Sequence, residues 1–372
     1  MRILAIETSC DETALSVVDA SGGLENSRFE VLENLIISQI DVHRPWGGVV
    51  PNLAKREHQK NLPKLFTKLK ERINLTSIDL VAVTSGPGLA PALWQGIEFA
   101  KKIGEEYNKP VVGANHLEGH LYSVLLPRKQ DTASTKIQTP NPKESISGME
   151  FGAWNLEFPA VALLVSGGHT ILALFKSLTE YEKLGETRDD AVGEVFDKVA
   201  RMLELPYPGG PEIERVAKDG NPKAIDFPRP MIHEPSYDFS FSGLKTAVLY
   251  HLRDHSPAVT TPLKIRGAGG SYDQRADIAA SFQAAAVDVL TQKTLRAANE
   301  FAARSVFIGG GVAMNKALRH ELAKKCQEEG LVFAAPDNAY NTDNAVMIAA
   351  AAYINHLTGK TYSMEAQPNL NL

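Results

Sequence analysis

Two patterns of secondary structure occur twice along the chain, in the same order. Residues 2–18 form two apolar strands around a polar turn, and 158–175 repeat this strand–turn–strand pattern. The buried strand at 79–84 leads into a glycine turn and a helix to about residue 106, and 305–326 repeat that unit around a triple glycine. A hairpin and a strand–glycine–helix unit, each present twice, predict a duplicated α/β fold with two lobes and a cleft between them.

The duplication also sets the predicted domain boundaries. Residues 1–127 form the N-terminal lobe, and 157–340 form the C-terminal lobe with a helical insertion at about 189–300. Residues 128–156 are rich in Lys, Thr, Ser, Pro and Asn, which predicts an exposed insertion. Residues 341–372 predict a helix that crosses between the lobes, followed by a tail.

Charge and composition limit the classes of function. The chain has 372 residues and a net charge of −5, which argues against a broadly basic nucleic-acid binder. Any RNA contact therefore needs partner subunits or a local patch, such as the basic stretch at 55–60. Two cysteines, Cys10 and Cys326, give no disulfide framework and favour a reducing cytosol. The sequence suggests neither a signal peptide nor a membrane span, so we expect a cytoplasmic protein without membrane contact.

A pair of histidines, His116 and His120, has the spacing of one helical turn. That spacing places both imidazoles on one helix face, where they can share a metal ion. The alternative is two capping or core histidines. Asp343, just before a helix rich in small residues, is the candidate third ligand, and its alternative role is a helix N-cap. Two histidines and one carboxylate suit Fe(II) or Zn(II), with coordination positions left open.

The same stretch allows a test of the metalloprotease hypothesis. Zinc proteases of the His-Glu-x-x-His type place a glutamate directly after the first histidine. Glu118 lies two residues after His116, roughly 200° around a helix and away from the metal face. A helix here therefore argues against a protease. Cys10 is a candidate nucleophile, but a small buried residue at a strand end is the favoured interpretation.

Several turns have both a functional and a structural interpretation. The glycine turn at 85–89 has the form that presents backbone N–H groups to an anion, or simply makes a tight connection. Asp11 and Glu12 are candidate catalytic residues facing a nucleotide phosphate or its metal; turn chemistry is the alternative. Asp197 and Glu214 either contact ribose hydroxyls or complement helix dipoles.

Ten motifs together resemble one family, the bacterial tRNA N6-adenosine threonylcarbamoyltransferases, once described as O-sialoglycoprotein endopeptidases. The resemblance runs nearly end to end and is interrupted at 128–156 and 255–274, which are longer than the usual bacterial loops. The motifs are Ile-Glu-Thr-Ser-Cys-Asp-Glu-Thr (6–13), Gly-Gly-Val-Val-Pro (47–51), Gly-Pro-Gly-Leu (86–89), His-Leu-Glu-Gly-His (116–120), Leu-Val-Ser-Gly-Gly-His-Thr (164–170), Gly-Glu-Val-Phe-Asp-Lys (193–198), Tyr-Pro-Gly-Gly-Pro (207–211), Asp-Phe-Ser-Phe-Ser-Gly-Leu-Lys-Thr (238–246), Gly-Gly-Gly-Val-Ala-Met-Asn (309–315) and Thr-Asp-Asn-Ala (342–345).

The resemblance implies an actin/hexokinase/Hsp70-like fold with a nucleotide cleft between its lobes. It implies transfer of the threonylcarbamoyl group from threonylcarbamoyl-adenylate to N6 of the adenosine 3′ of the tRNA anticodon, with release of AMP. His116, His120 and Asp343 would hold one divalent metal, with Fe(II) favoured over Zn(II). The implied adenylate-binding set is Leu164, Val165, Ser166, Gly167, Gly168, Asp197, Gly210, Glu214 and Asn315.

The implied partners are tRNA, a non-catalytic paralogous subunit and a P-loop ATPase subunit. Two departures from the family pattern are a bulky run at 90–95, which includes Trp94, and Glu214, where many members carry a shorter side chain. The competing hypotheses are a small-molecule kinase of the same fold, a metalloprotease and an idle paralogue. The paralogue would lack the metal triad, whereas this chain carries all three candidates.

Overall fold

The computed structural model describes residues 1–127, 156–255 and 274–372. Of the predicted insertion at 128–156 and the stretch at 255–274, only residues 156, 255 and 274 are described. Within the described ranges, no helix combines the length and apolar character that a bilayer crossing needs.

The first lobe is built on a five-stranded sheet in the order β3-β2-β1-β4-β5. Strands β1, β2 and β3 pair antiparallel, whereas β4 and β5 run parallel to β1. The predicted hairpin and strand–glycine–helix unit are confirmed, and β3 is an edge strand that the sequence pattern does not predict. The strands are β1 (Arg2–Glu7), β2 (Glu12–Ser21), β3 (Arg28–Ser38), β4 (Leu80–Gly86) and β5 (Val111–Asn115).

The second lobe repeats this topology in the order β8-β7-β6-β9-β10. Strands β6, β7 and β8 pair antiparallel, and β9 and β10 run parallel to β6. The position and direction of each strand match those of its counterpart in the first sheet. The predicted duplication is therefore confirmed at the level of topology. The strands are β6 (Ala160–Val165), β7 (Thr170–Phe175), β8 (Tyr181–Glu186), β9 (Ser305–Gly309) and β10 (Val332–Ala334).

Helices cover the outer faces of both sheets, because each central strand is apolar on both sides. In β1, Leu4 and Ile6 face the outer helices of the first lobe, while Ile3 and Ala5 face the opposite side. The outer helices are α1 (Ile40–His43), α2 (Pro51–Arg72) and α3 (Ala90–Tyr107) in the first lobe, and α5 (Val192–Met202), α6 (Gly209–Ala217), α7 (Ser242–His255), α8 (Gln274–Glu300) and α9 (Lys316–Glu328) in the second.

Two helices, α4 (His116–Tyr122) and α10 (Ala345–Thr358), pack into one core with the facing sides of both sheets. The four consecutive alanines at 349–352 are all buried there, and small side chains allow close approach. The core is continuous across the two lobes. The boundaries suggested from the sequence, with lobes at 1–127 and 157–340 and a crossing segment at 341–372, therefore stay predictions.

The tail after α10 returns to the first lobe. The N–H of Gln367 donates to the carbonyl of Ser85 at 2.7 Å, and the N–H of Gly88 donates to the carbonyl of Pro368 at 3.2 Å. The side-chain amide of Asn115 donates to the carbonyl of Asn371 at 2.8 Å. The tail thus lies along the carboxyl ends of β4 and β5.

Candidate metal centre and nucleotide cleft

The histidine pair lies on α4, which follows β5 without an intervening loop. Asn115 caps this helix, because its side-chain oxygen accepts the N–H of Leu117 at 2.8 Å. The rings of His116 and His120 have centroids 4.6 Å apart, so the predicted one-turn arrangement is confirmed. A Cβ at Gly309 would lie 2.6 Å from the carbonyl oxygen of His120, so glycine permits β9 to approach α4 this closely. The pair therefore lies where the two sheets meet.

Asp343 precedes α10 and completes the triad. The N-cap of α10 is Asn344, whose side chain accepts the N–H of Met347 at 3.0 Å, so Asp343 is not needed as a cap. Its Oδ1 atom lies 3.1 Å from Nε2 of His120 and 3.6 Å from Nε2 of His116. One ligand atom from each residue fits within a 4.8 Å span. The structure thus brings together the three predicted ligands.

These distances fit a shared divalent cation. With metal–ligand bonds of about 2.0–2.2 Å, neighbouring ligand atoms lie about 3.0–3.6 Å apart. His120 is fully buried, its Nδ1 atom has no hydrogen-bond partner among the described residues, and its Nε2 atom has only the 3.1 Å approach of Asp343, which is not a well-directed hydrogen bond. A buried polar atom without a partner is costly, and a bound cation would remove that cost. The two histidines and the carboxylate therefore form a set that can hold a metal.

Charge within the triad shifts the pKa values of its members. Burial opposes the charged form of His116, but Asp343 and Glu7 outweigh burial and raise its pKa to about 9. Burial opposes ionisation of Asp343, but His116 and His120 lower its pKa to about 2. Burial lowers the pKa of His120. The site thus concentrates negative charge around an imidazole, which favours a cation.

Glu7, at the end of β1, supports the triad and was not singled out from the sequence. It is fully buried, and its Oε2 atom lies 3.0 Å from Nδ1 of His116. It also accepts the hydroxyl of Thr84 at 2.6 Å and the N–H of Ser9. A carboxylate on Nδ1 fixes the tautomer and leaves Nε2 free to bind a metal. The sequence feature that could have indicated this role is a glutamate at the end of a largely apolar strand.

The opposite face of α4 carries Glu118. This buried carboxylate accepts from Lys360 at 2.6 Å, from the amide of Asn355 at 3.0 Å and from the hydroxyl of Tyr181 at 2.5 Å. The predicted orientation away from the metal face is confirmed. Glu118 ties α4 to α10, the tail and β8, and it is not placed to activate a metal-bound water.

The acidic turn after β1 lies near the triad. Burial, then the charges of Asp11 and Asp343, raise the pKa of Glu12 well above its usual value. Burial and Asp11 likewise raise the pKa of Cys10, which disfavours a thiolate nucleophile. Asp11 and Asp197 also raise the pKa of Tyr207 in the second lobe, after burial as the larger cause. The turn therefore faces the second lobe, and the catalytic roles of Asp11 and Glu12 stay predictions.

The proposed adenylate set has two kinds of member. The side chains of Leu164 and Val165 are fully buried in core clusters, so only their backbone is available to a ligand. By contrast, Gly167 and Gly168 in the following turn and Gly210 at the start of α6 border open space, as does Gly311 after β9, which the sequence did not assign to this set. A Cβ at any of these four would meet nothing within 4 Å.

The polar members of this set make contacts within the second lobe. Asp197 accepts the N–H of Gly209 at 2.7 Å and so caps α6, and burial raises its pKa despite that bond. Glu214 accepts the N–H of Lys316 at 3.3 Å. Asn315 caps α9 and donates to the side chain of Gln283 at 2.8 Å. Asp197 thus lies at the N-terminus of α6, where it complements the helix dipole, and the ribose contact stays a prediction.

His169 links the open turn to the triad. Burial, then the charges of His116 and His120, lower its pKa to about 4. The turn that contains Gly167 and Gly168 is therefore within electrostatic range of the metal centre. The sequence motif includes His169, but no role was assigned to it.

The structure narrows two sequence-based interpretations, those of the glycine turn at 85–89 and of the basic stretch at 55–60. The N–H of Gly88 donates to Pro368 and that of Leu89 donates to Ser9, so these groups of the first glycine turn are not presented to an anion. His58 adds nothing to a basic surface, because it is fully buried and bonds to Thr13 and to the carbonyl of Cys10.

Comparisons with known proteins agree with this geometry. A protein from Moorella thermoacetica named tRNA N6-adenosine threonylcarbamoyltransferase is 44% identical over the whole chain and 97% of its own length. A protein of the same name from Thermosipho melanesiensis is 43% identical over the full length of both. The names of these relatives describe a transferase, so the protease and kinase alternatives are not favoured.

Solved structures support the fold alone. The crystal structure of T. kodakarensis HypF has a TM-score of 0.55 and 14% identity, and it covers 96% of this chain and 47% of that protein. A full-length HypF in the phosphate- and nucleotide-bound form gives the same TM-score with 11% identity, and covers 96% of this chain and 55% of that protein. This chain thus spans about half the length of each of these proteins. The expected actin/hexokinase/Hsp70-like fold is confirmed.

A family model described as tRNA N6-adenosine threonylcarbamoyltransferase matches residues 30–135 and 145–350, which is more than half of the chain. With the full-length relatives and the metal triad, this match establishes the relationship: the chain belongs to the tRNA N6-adenosine threonylcarbamoyltransferase family.

Proposed function

We propose that the protein is an acyltransferase that moves the threonylcarbamoyl group from threonylcarbamoyl-adenylate to N6 of the adenosine 3′ of the tRNA anticodon. The products are N6-threonylcarbamoyladenosine and AMP. The observation that carries the proposal is the metal triad beside a turn of open glycines, in a chain of this family. The metal is proposed to be Fe(II), with Zn(II) as the alternative.

The open glycines are proposed to receive the adenylate. Gly167, Gly168, Gly210 and Gly311 lack side chains that would block a ligand, and backbone atoms can approach it there. Asp197 is proposed to accept from a ribose hydroxyl, and Asn315 and Glu214 are proposed to contact the same ligand. Because AMP is a good leaving group, the protein has mainly to orient two substrates and exclude water.

His116, His120 and Asp343 would hold the metal, which when bound supplies positive charge that neutralises a phosphate. In the transfer, the N6 amine attacks the carbamoyl carbonyl, the bond from that carbon to the phosphate oxygen breaks, and one N6 proton is lost. Glu12 is the proposed acceptor of that proton, because a raised pKa makes its carboxylate a stronger base. Asp11 is proposed to hold Glu12 in place.

The wider setting is also proposed from the family resemblance. The protein acts in the cytoplasm on tRNA, together with a non-catalytic paralogous subunit and a P-loop ATPase subunit. The net charge of −5 supports partner-assisted RNA binding, because the isolated chain has little general attraction for phosphates.

The test is reconstitution on unmodified tRNA with threonine, bicarbonate, ATP, the adenylate-forming enzyme and the partner subunits. We expect N6-threonylcarbamoyladenosine by nucleoside mass spectrometry, and none with the Asp343→Ala variant. A preparation that retains its metal and binds tRNA but forms no product under these conditions would refute the proposal. Phosphorylation of a small acceptor in place of transfer would instead support the kinase.

A further inference from the structure

The rim between the two lobes carries an exposed tryptophan. Trp46 is 67% exposed, more than any other exposed large apolar side chain in the described ranges. It ends a short helical turn, Arg44–Trp46, and is followed by Gly47 in the left-handed conformation with φ of 66°. Tryptophan is enriched at binding surfaces, where its ring supplies apolar contact area beside polar groups.

Two arginines from different lobes lie at the turn that carries this ring. Arg44 donates to the carbonyl of Tyr207 at 3.1 Å, and the guanidinium of Arg201 donates to the carbonyl of Gly47. A Cβ at Gly47 would lie 3.1 Å from that guanidinium, so the turn and α5 are in close contact. Both arginines are exposed. We call Arg44, Trp46 and Arg201 the rim cluster.

The rim cluster borders the proposed active site. Arg201 lies one helical turn after Asp197 and lowers that carboxylate's pKa against the larger effect of burial. Tyr207, which accepts from Arg44, is close enough to Asp11 and Asp197 for their charges to raise its pKa. An adenosine that reaches the site therefore brings its neighbouring nucleotides to this rim.

We propose that the rim cluster binds single-stranded RNA beside the acceptor adenosine, with Trp46 stacking on a base and Arg44 and Arg201 contacting phosphates. This inference rests on the proposed function and names the residues that receive its RNA substrate. Aromatic rings and arginines are the groups by which proteins hold unpaired nucleotides. Arg44 also pairs with Asp41 at 2.8 Å at this exposed position. Two guanidiniums beside an exposed indole ring suit phosphates and an unpaired base, which favours RNA over a protein partner.

The test measures binding of an unmodified tRNA anticodon stem–loop to the metal-loaded full-length chain. We expect Trp46→Ala to weaken binding roughly five- to 150-fold, the range for loss of one stacked base. Trp46→Tyr should restore most of the affinity. Trp94→Ala is the matched control, because Trp94 is also exposed but lies on α3, and it should bind like the parent.

Salt dependence separates stacking from charge. Arg44→Ala and Arg201→Ala should each reduce the slope of log affinity against log salt by about 0.7, whereas Trp46→Ala should leave the slope unchanged. Affinity of Trp46→Ala equal to that of the parent would overturn the proposal and leave a protein contact as the alternative role. Adenylate binding, followed by calorimetry, should not change in Trp46→Ala. If the parent chain binds the RNA through Trp46 but forms no product in the reconstituted reaction, the proposed function fails and the RNA surface stands.

Discussion

Replacement of Glu7 by glutamine tests how the protein prepares its metal ligands. The side chain keeps its size, and its carbonyl oxygen can still accept from Nδ1 of His116 and from Thr84. The negative charge is lost, so the imidazole becomes a weaker ligand and its orientation is less firmly held. The N–H of Ser9 also loses a charged acceptor. We expect weaker metal binding in a protein that remains folded.

The structure suggests the size of the effect. Glu7 is fully buried and lies 3.0 Å from His116, so solvent does not screen the interaction. Loss of such a supporting carboxylate typically lowers metal affinity ten- to a hundredfold, about 1.4–2.7 kcal/mol. Glutamine can keep the hydrogen bonds to His116 and Thr84, so we expect about tenfold for Glu7→Gln. Glu7→Ala should approach a hundredfold, because Thr84 and Ser9 also lose their acceptor.

The assay is competition with a chelator of known affinity, performed without oxygen for iron and repeated with zinc. Asp190→Asn provides a control for general destabilisation. It removes a carboxylate that pairs with Lys198 and Lys245 and lies far from Glu7 along the chain. It should lower the melting temperature and leave metal affinity unchanged. A Glu7→Gln variant that binds metal within about twofold of the parent would show that the His116 contact does not prepare the ligand.

Three further predictions concern the same cleft. Purified protein should contain close to one iron or zinc per chain, and His116→Ala and Asp343→Ala should each lose it; retention of metal in both would remove these residues from the site. Asp197→Ala should weaken binding of a non-hydrolysable adenylate analogue roughly ten- to a hundredfold with the metal retained, and unchanged calorimetric affinity in both Asp197→Ala and Asn315→Ala would leave the nucleotide contacts unassigned. Because the pKa of His116 in the metal-free chain is about 9, above its usual 6.5, a metal must displace a proton at neutral pH. Apparent metal affinity should therefore rise about tenfold per pH unit up to about pH 9 and then level, whereas a flat profile between pH 7 and 9 would contradict the raised pKa.

Local patterns predicted the duplicated topology, because each repeated unit contains its own signals. An apolar run, a glycine turn and a helical period identify β4 and α3, or β9 and α9, without reference to the rest of the chain. The edge strands β3, β8 and β10 lack such clear sequence signals. In β8, the consecutive polar side chains of Glu182 and Lys183 face solvent, so buried and exposed residues do not alternate regularly along the strand.

The histidine pair was predictable for the same reason, since one helical turn brings His116 and His120 together. The roles of Glu7 and of the first glycine turn were not predictable in this way. The partner of Glu7 lies on α4, and the bonds of Gly88 and Leu89 go to the tail and to Ser9. Such contacts depend on how distant segments pack, which a local pattern does not contain.

The contacts of the C-terminal tail have a consequence for sample homogeneity. Asn115 caps the helix that carries both histidines, and its own amide is held by Asn371. On the other face of that helix, Lys360 neutralises the buried Glu118. Loss of the last two residues would thus release Asn115, and loss of residues 360–372 would loosen α4 from two sides, while every proposed metal ligand stays in the chain. Preparations whose chains end at different residues should then differ in metal content. Intact-mass spectra would show whether low metal content comes from truncated chains or from incomplete metal loading.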